Sequence, residues 1–302
     1  MIELKEEFFK EEVRCGFTVS AEMKHVWAAE MKILSYIIEV CNKYDIQYFA
    51  DFGTLLGAIR HEGFIPWDDD IDISLKRADY MKLLSVLKKE NNPDYIINSC
   101  YVNNDRRKVF TSVSNYTEVP VPDNVQKKFY QCPYVVGIDI FVLDYVPRDE
   151  EMASMQRAMY TAVYDLAHRL DEITANGQLE QYLHDVEDMC NVSIVRNNTI
   201  RGQLWRLADS IAAMFTDEES DKLVYMSEYV SGYPNLIYDK EWFAESFDKK
   251  FEDMDIAVPR EYDKVLTQGY GNYMEMKRNT AAHEYPFFKN QKAFLEELNG
   301  RR

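Results

Sequence analysis

The sequence predicts an α+β protein: a mixed sheet with flanking helices, followed by a mostly helical C-terminal half. Three observations carry this reading. Helix-period and strand-like segments alternate through residues 1–147. Near residue 148 the composition shifts to a run rich in Met, Ala, Leu, Glu and Gln that lasts to about residue 213. Glycine and proline are sparse, 11 and 9, so a long disordered linker between the halves is not expected. The expected organisation is an α/β core over 1–147, with an N-terminal helix, and a helical region over 148–302 packed on it.

Ala21 to Tyr44 reads as an amphipathic helix, with Met23, Val26, Trp27, Met31, Leu34, Ile37, Ile38 and Cys41 at helical spacing. Ile46 to Ala50 reads as a strand. Gly53 to His61 reads as a glycine turn opening a short helix, and Ile71 to Leu75 as a strand. Ala78 to Asn91 is helical, with Tyr80, Leu83, Leu84 and Leu87 on one face. Tyr95 to Tyr101 and Val109 to Ser114 are candidate strands. Val135 to Val142 is a β-branched strand, with a turn expected at Tyr145-Val146-Pro147. Asp149 to Ala213 is helical with a break near Asn176-Gly177. The tail from Ser231 is mixed, with a helix around Tyr262 to Tyr270.

A net charge of −17 argues against partners bound through nucleic-acid phosphates, which require basic patches. Five widely spaced cysteines with no C-x-x-C suggest reduced thiols rather than a disulfide framework or zinc knuckle, and hence a cytoplasmic protein. The acidic N-terminus lacks the pattern of a signal peptide, and no apolar run suits a membrane span. Any membrane contact is expected to be peripheral.

The run FIPWDDDIDI, Phe64 to Ile73, places four carboxylates in five positions against apolar neighbours. In a strand, Asp70 and Asp72 share a face while Ile71 and Ile73 point to the core. Asp68 is in phase with them and Asp69 is not, so Asp69 is expected to turn away and Asp69→Asn to be the mildest of the four changes. Same-face carboxylates roughly 6–7 Å apart can hold one or two Mg²⁺ or Mn²⁺ ions. A solvated acidic turn, an N-cap cluster or an incidental calcium loop would use the same residues; the EF-hand spacing is missing. Upstream, Gly53-Thr54 sits between strand and helix, where backbone N–H groups approach a phosphate, though a helix cap explains it equally. Asp139, inside the apolar VVGIDIFVLD, should be metal-bound or paired with a core Arg. Glycine-Thr, then D-x-D, then a lone Asp on a later strand is the pattern of nucleotidyltransferase folds, whose chemistry is metal-assisted phosphoryl or nucleotidyl transfer.

The longer run GTLLGAIRHEGFIPWDDDIDISLKRADY, Gly53 to Tyr80, closely resembles the signature of the LicD family, which includes bacterial phosphocholine transferases and is related to fukutin and fukutin-related protein. VGIDIFVLDYVP (Val136 to Pro147) and VPREYDKVLTQGYGNYM (Val258 to Met274), followed by His283, are also similar. The resemblance implies a nucleotidyltransferase-fold enzyme that uses a divalent metal, Mg²⁺ or Mn²⁺. Such an enzyme moves a phospho-alcohol unit from a CDP-activated donor, CDP-choline first among them, to a hydroxyl of a surface glycan or teichoic-acid-type (polyol-phosphate) acceptor, and CMP is released. Asp70 and Asp72 then fall on the metal pair, Asp68 on the upstream acid, Asp139 on the later-strand acid that completes the metal and catalytic set, and Gly53-Thr54 on the phosphate-side turn.

Arg60 either reaches the donor phosphate or pairs with the acids. Arg77 is a phosphate contact or a surface charge. Trp67 and Phe64 pack under the acid strand rather than stack on a base, and His283 is structural or a metal or substrate contact. A choline donor calls for an aromatic or acidic pocket, for which Tyr233, Trp242, Tyr270 and Tyr273 are candidates. Asn272 stands where the family often has Asp, which opens a difference in donor. The 148–230 segment shows no family feature; with the rest of the C-terminal region it is expected to complete the substrate site. Two other readings stand beside this one. One is a nucleotidyltransferase acting on a small alcohol or antibiotic with release of pyrophosphate. The other is a non-catalytic binding protein, against which the retained acids argue.

Overall fold

The computed structural model describes residues 2–233, 236–278 and 285–300. His283 lies outside the described residues. The chain divides into two compact units, Met1–Ile97, Ser112–Ile140 and Glu245–Arg302 in the first, Asn98–Thr111 and Phe141–Ala244 in the second. The boundary expected at residue 147 therefore falls inside the second unit, and the C-terminal tail belongs with the N-terminal segments of the first.

The first unit opens with a hairpin, β1 (Glu12–Arg14) and β2 (Phe17–Val19), turned by Cys15 and Gly16 at positive φ. Helix α1 (Ala21–Lys43) follows. Ser20 caps it by accepting the Met23 N–H at 3.1 Å. Its expected apolar face is buried: Val26, Trp27, Met31, Leu34 and Ile37 have no accessible surface. Next come β3 (Phe49–Ala50), α2 (Phe52–Arg60), β4 (Ile71–Lys76), α3 (Arg77–Glu90), β5 (Ile96–Asn98), β6 (Thr111–Ser114), α4 (Asp123–Lys128) and β7 (Gly137–Pro147). The strands form a mixed central sheet in the order β3-β4-β7-β6-β5, with β3 antiparallel to β4.

In the second unit, α5 (Glu150–His168), α6 (Leu170–Ala175), α7 (Leu179–Cys190) and α8 (Ile200–Ala212) enclose a core of Val163, Leu166, Leu183, Leu204 and Trp205. Gly177, at φ +71°, turns the chain from α6 into α7, at the break the sequence marked. Trp205 Nε1 donates to Arg106 O at 2.9 Å, so the indole is satisfied within its own unit. Strand β8 (Ser220–Val224), the short α9 (Met226–Val230) and β9 (Ile237–Asp239) follow. The far part of β7 pairs with β8, and β8 with β9. The chain then returns to the first unit as the hairpin β10 (Ser246–Phe251) and β11 (Met254–Pro259), then α10 (Tyr262–Tyr270) and α11 (Lys289–Gly300).

The fold class is as read: a mixed sheet with flanking helices and a helical region after residue 148. Two local expectations differ. The strand at Ile46 shortens to two residues, because Asp45 takes φ +52° and the Ile46 N–H closes back on Cys41 O at 2.9 Å. The turn expected at Tyr145-Val146-Pro147 is strand instead; Tyr145 and Val146 pair with Leu223 and Lys222. The β10–β11 hairpin has no clean alternation, since Lys249 and Lys250 are adjacent. Its register is held by ladder pairs such as Phe247 with Val258. Among the described residues, no helix is long and apolar enough to cross a membrane.

Helix α2 folds close against the loop after it. A Cβ on Gly57 would lie 2.4 Å from Gly63 O, a backbone atom with little freedom to yield. Gly57→Ala is expected to cost about 1–3 kcal/mol of stability as an overpacking change, read as a lowered midpoint in thermal unfolding.

Candidate active site

The acid run is held from below by α1. Trp27, fully buried, stacks on Phe64 with centroids 4.4 Å apart, and its Nε1 donates to Asp68 O at 3.1 Å. Phe64 thus packs under the run, as expected. Trp67 is only half-buried; the Arg278 guanidinium lies over its ring at 5.1 Å. Ile71 and Ile73 are fully buried while Asp70 and Asp72 are half-buried, the alternation the strand period requires.

The start of α2 locks the strand. Asp51 N donates to Asp72 O at 3.0 Å, and Asp72 N donates to the Thr54 hydroxyl at 2.8 Å. Asp72 is therefore gripped on both backbone faces, and the buried Thr54 braces its peptide through the hydroxyl oxygen. Asp51 caps α2 by accepting the Phe52 N–H at 2.8 Å. Gly53 has a steric reason: a Cβ there would sit 2.4 Å from Asp68 Oδ2, so the carboxylate rests directly on the first turn of the helix.

Burial raises the Asp72 carboxyl well above the usual range. The four charges acting most strongly on it are all carboxylates, Asp70, Asp139, Asp51 and Asp68. Burial also raises Asp68, with Asp70 and Asp69 adding to it. Asp139, half-buried on β7 beside β4, thus lies within electrostatic reach of Asp72. Carboxylate oxygens of Asp68, Asp69 and Asp70 all lie within 4.8 Å of one another. All are hard oxygen donors, and their convergence fits a divalent cation such as Mg²⁺ or Mn²⁺, whose charge would relieve the repulsion.

Asp69 departs from expectation. It has no accessible surface, so it is the most buried acid of the run, and its Oδ2 accepts the Phe287 N–H at 2.7 Å while another acid pair stays close. It anchors the C-terminal segment as well as contributing to the cluster. Among the described residues Arg60 has no acid partner: Nη1 donates to Tyr273 O at 2.7 Å and Glu275 O at 3.3 Å. Arg77 opens α3 with its guanidinium 5.5 Å from the Tyr80 ring.

Two acids were missed in the sequence. Asp51 had a signal, an acid at a strand end just before the Gly-Thr turn. Glu30 had none, sitting on the buried face of α1 among apolar residues. It is 1% exposed, and its Oε2 has no hydrogen-bond partner among the described residues. Burial, and after it Asp69, Asp70, Asp68 and Asp72, hold its carboxyl well above the ordinary range. The Tyr270 phenol is raised by burial and by Asp51, Asp72, Asp68 and Asp70; the Tyr285 phenol is pushed up to about 12 by burial and by Asp69 and Asp68. Two tyrosines therefore sit within electrostatic reach of the acids.

A mixed sheet presenting clustered acids beside a glycine-opened helix is an arrangement that suits a transferase of phosphoryl or nucleotidyl groups. Residues 45–130 match the family described as LicD/FKTN/FKRP, nucleotidyltransferase domain. Over that stretch the chain is similar to LicD-type nucleotidyltransferase domains. It is 26% identical over 256 residues to the lipopolysaccharide cholinephosphotransferase LicD of Haemophilus influenzae, covering 82% of this chain and 89% of that protein. Shorter stretches resemble uncharacterized proteins of Rickettsia prowazekii, 41% identical over 20% of this chain and 22% of that one, and of Rickettsia typhi, 38% over 27% and 29%.

The raised carboxyls set a pH dependence. A carboxyl whose folded pKa lies above its unfolded value stabilises the fold below the unfolded pKa, near 4, and loses that contribution as pH rises through the folded value. With EDTA present, wild-type stability is expected to fall as pH rises above the unfolded carboxyl range, by up to about 1.4 kcal/mol per pH unit for each such proton. Asp72→Asn should flatten that slope and Mg²⁺ should remove it, as read from melting midpoints. Gly53→Ala, which pushes Asp68 from its seat, should weaken Mn²⁺ binding in calorimetry more than it lowers the melting midpoint.

Proposed function

We propose that the protein is a phosphocholine-type transferase. It takes a phospho-alcohol unit from a CDP-activated donor, CDP-choline first among them, and passes it to a hydroxyl of a cell-surface glycan or teichoic-acid-type acceptor, acting in the cytoplasm. The observation that carries this is the conjunction of the acid cluster with similarity running through 89% of a lipopolysaccharide cholinephosphotransferase. The five free cysteines agree with a reducing compartment.

Asp68, Asp69, Asp70 and Asp72 would hold Mg²⁺ or Mn²⁺, with Asp139 beside them. A bound cation would neutralise the carboxylates and offset the charge of the donor diphosphate. Thr54 and Asp51 keep Asp72 in place through its backbone, and Trp27 does the same for Asp68. Asp139 takes the proton of the acceptor hydroxyl as its oxygen bonds to the distal phosphorus; the bond from that phosphorus to the bridging oxygen breaks and CMP leaves. Tyr270 and Tyr285 flank the acids and offer aromatic surface to a quaternary ammonium.

The test is CMP release from CDP-choline with Mg²⁺ and candidate glycans, alongside CDP-ribitol, CDP-glycerol and CDP-ethanolamine. Asp70→Asn and Asp72→Asn should each lower turnover at least about 100-fold, the scale of losing a group that orders the transition-state charge, with melting curves close to native. Full activity in both variants sinks the assignment. Pyrophosphate from a nucleoside triphosphate, in place of CMP, moves the protein to the nucleotidyl-transfer reading.

A further inference from the structure

The first unit holds a cavity of about 660 Å³, walled by the N-terminal segment, β1, α1, the end of α2 and the β10–β11 turn. We propose that it is a binding site for a neutral polyhydroxylated ligand, a sugar residue of the acceptor glycan that lies away from the reacting hydroxyl. The link to an acceptor rests on the transferase reading; the sugar site itself rests on the cavity.

Its volume is that of a small-molecule site, and its charged wall is built rather than incidental. Lys24 is 1% exposed; its ammonium bonds Glu12 and lies 4.8 Å from the Phe8 ring and 4.9 Å from Trp27. Arg14 donates from Nε to Glu12 at 2.6 Å and from Nη2 to Glu252 at 2.8 Å, and its guanidinium is 5.4 Å from Trp27. Glu252, at φ +54° in the hairpin turn, also accepts the Phe64 N–H at 3.1 Å. It fits because Gly63 has no side chain: a Cβ there would be 2.2 Å from Glu252 Oε1. At the rim, Lys250 faces Glu62 at 3.4 Å.

The charges balance. Beyond these pairs the lining adds the cations Lys5 and Arg60 and the acids Glu7 and Asp253. A phosphate entering would meet as many carboxylates as cations, and so would an ammonium ion. A hydroxyl both donates and accepts, so vicinal hydroxyls can bond a carboxylate and a neighbouring guanidinium at once without disturbing either pair. His61, held neutral by burial and by Arg60 and Arg14, with its pKa down to about 4, adds no charge, and Phe8 supplies the one carbocyclic aromatic ring of the lining.

The position fits a remote subsite. Helix α2 starts with Gly53 against Asp68 and ends with Arg60 and His61 in the cavity wall. At 1.5 Å per residue those ends are about 10–12 Å apart. A ligand in the cavity therefore leaves the acids free, and its binding energy acts on the acceptor as a whole.

Cys15 lines the cavity and is exposed, whereas Cys41, Cys100 and Cys132 are buried and Cys190 half-buried. Its alkylation by iodoacetamide, followed by peptide mass spectrometry on the full chain, reports occupancy directly. Millimolar lactose, maltose or di-N-acetylchitobiose should slow Cys15 severalfold and leave Cys190 unchanged, while inorganic phosphate and choline should not. Phe8→Ala and, at the rim, Lys250→Ala should each weaken the protection. Protection by phosphate or choline, or by none of the sugars, overturns the proposal. In the CMP-release assay Phe8→Ala should raise KM for a glycan acceptor more than it lowers kcat. No CMP release from the wild type would instead remove the transferase reading while leaving the sugar site to stand or fall on Cys15.

Discussion

Crowding of carboxylates in a partly desolvated place is the constraint on which the rest of the first unit depends. Asp68, Asp69, Asp70 and Asp72 lie in five consecutive positions, and Glu30, Asp51 and Asp139 close in from α1, from the strand end before α2 and from β7. Each unit by which a carboxyl pKa rises represents about 1.4 kcal/mol of differential cost for the ionised form. Such an arrangement persists only if the surroundings over-determine it. They do: the Trp27 indole grips Asp68 O, Thr54 and Asp51 hold the Asp72 peptide, Ile71 and Ile73 fix the strand from the core side, and the Phe287 N–H reaches Asp69.

The same supports tie the acids to the opposite end of α2. Trp27 carries Lys24 and Arg14 on its ring as well as bonding Asp68, and Glu252 binds both Arg14 and the backbone of Phe64, four residues before Asp68. One helix and one indole thus serve the acid cluster and the charge-lined cavity together. Gly53, Gly57 and Gly63 are each required by close approach rather than by turn conformation, against a carboxylate, a carbonyl and a glutamate in turn.

Much of the site was legible because it is local. The period-2 alternation from Asp70 to Ile73 shows which side chains face together, and a lone acid in the apolar Ile138-Asp139-Ile140 points to a partner in the fold. Helix α1 and helix α10 follow from spacing alone, with boundaries within a residue of those observed. What was illegible depends on contacts between distant segments. Asp69 looks out of phase in its strand, yet Phe287, far along the chain, makes it the most buried acid. Glu30 reads as an interruption of an apolar face until the acid loop lies over it. That the Thr54 hydroxyl also accepts the Asp72 N–H, 18 residues away, was equally out of local reach.

By itself the sequence determined the fold class and the family resemblance around the D-x-D strand, and raised the expectation of metal-type chemistry there, because these rest on side-chain period and residue type over a few turns of chain. Only the tertiary structure decided which acids converge, where Arg60 spends its hydrogen bonds, and that residues 245–302 belong with the first unit. Those outcomes depend on burial and on backbone groups brought together across tens or hundreds of residues, and no local period encodes them.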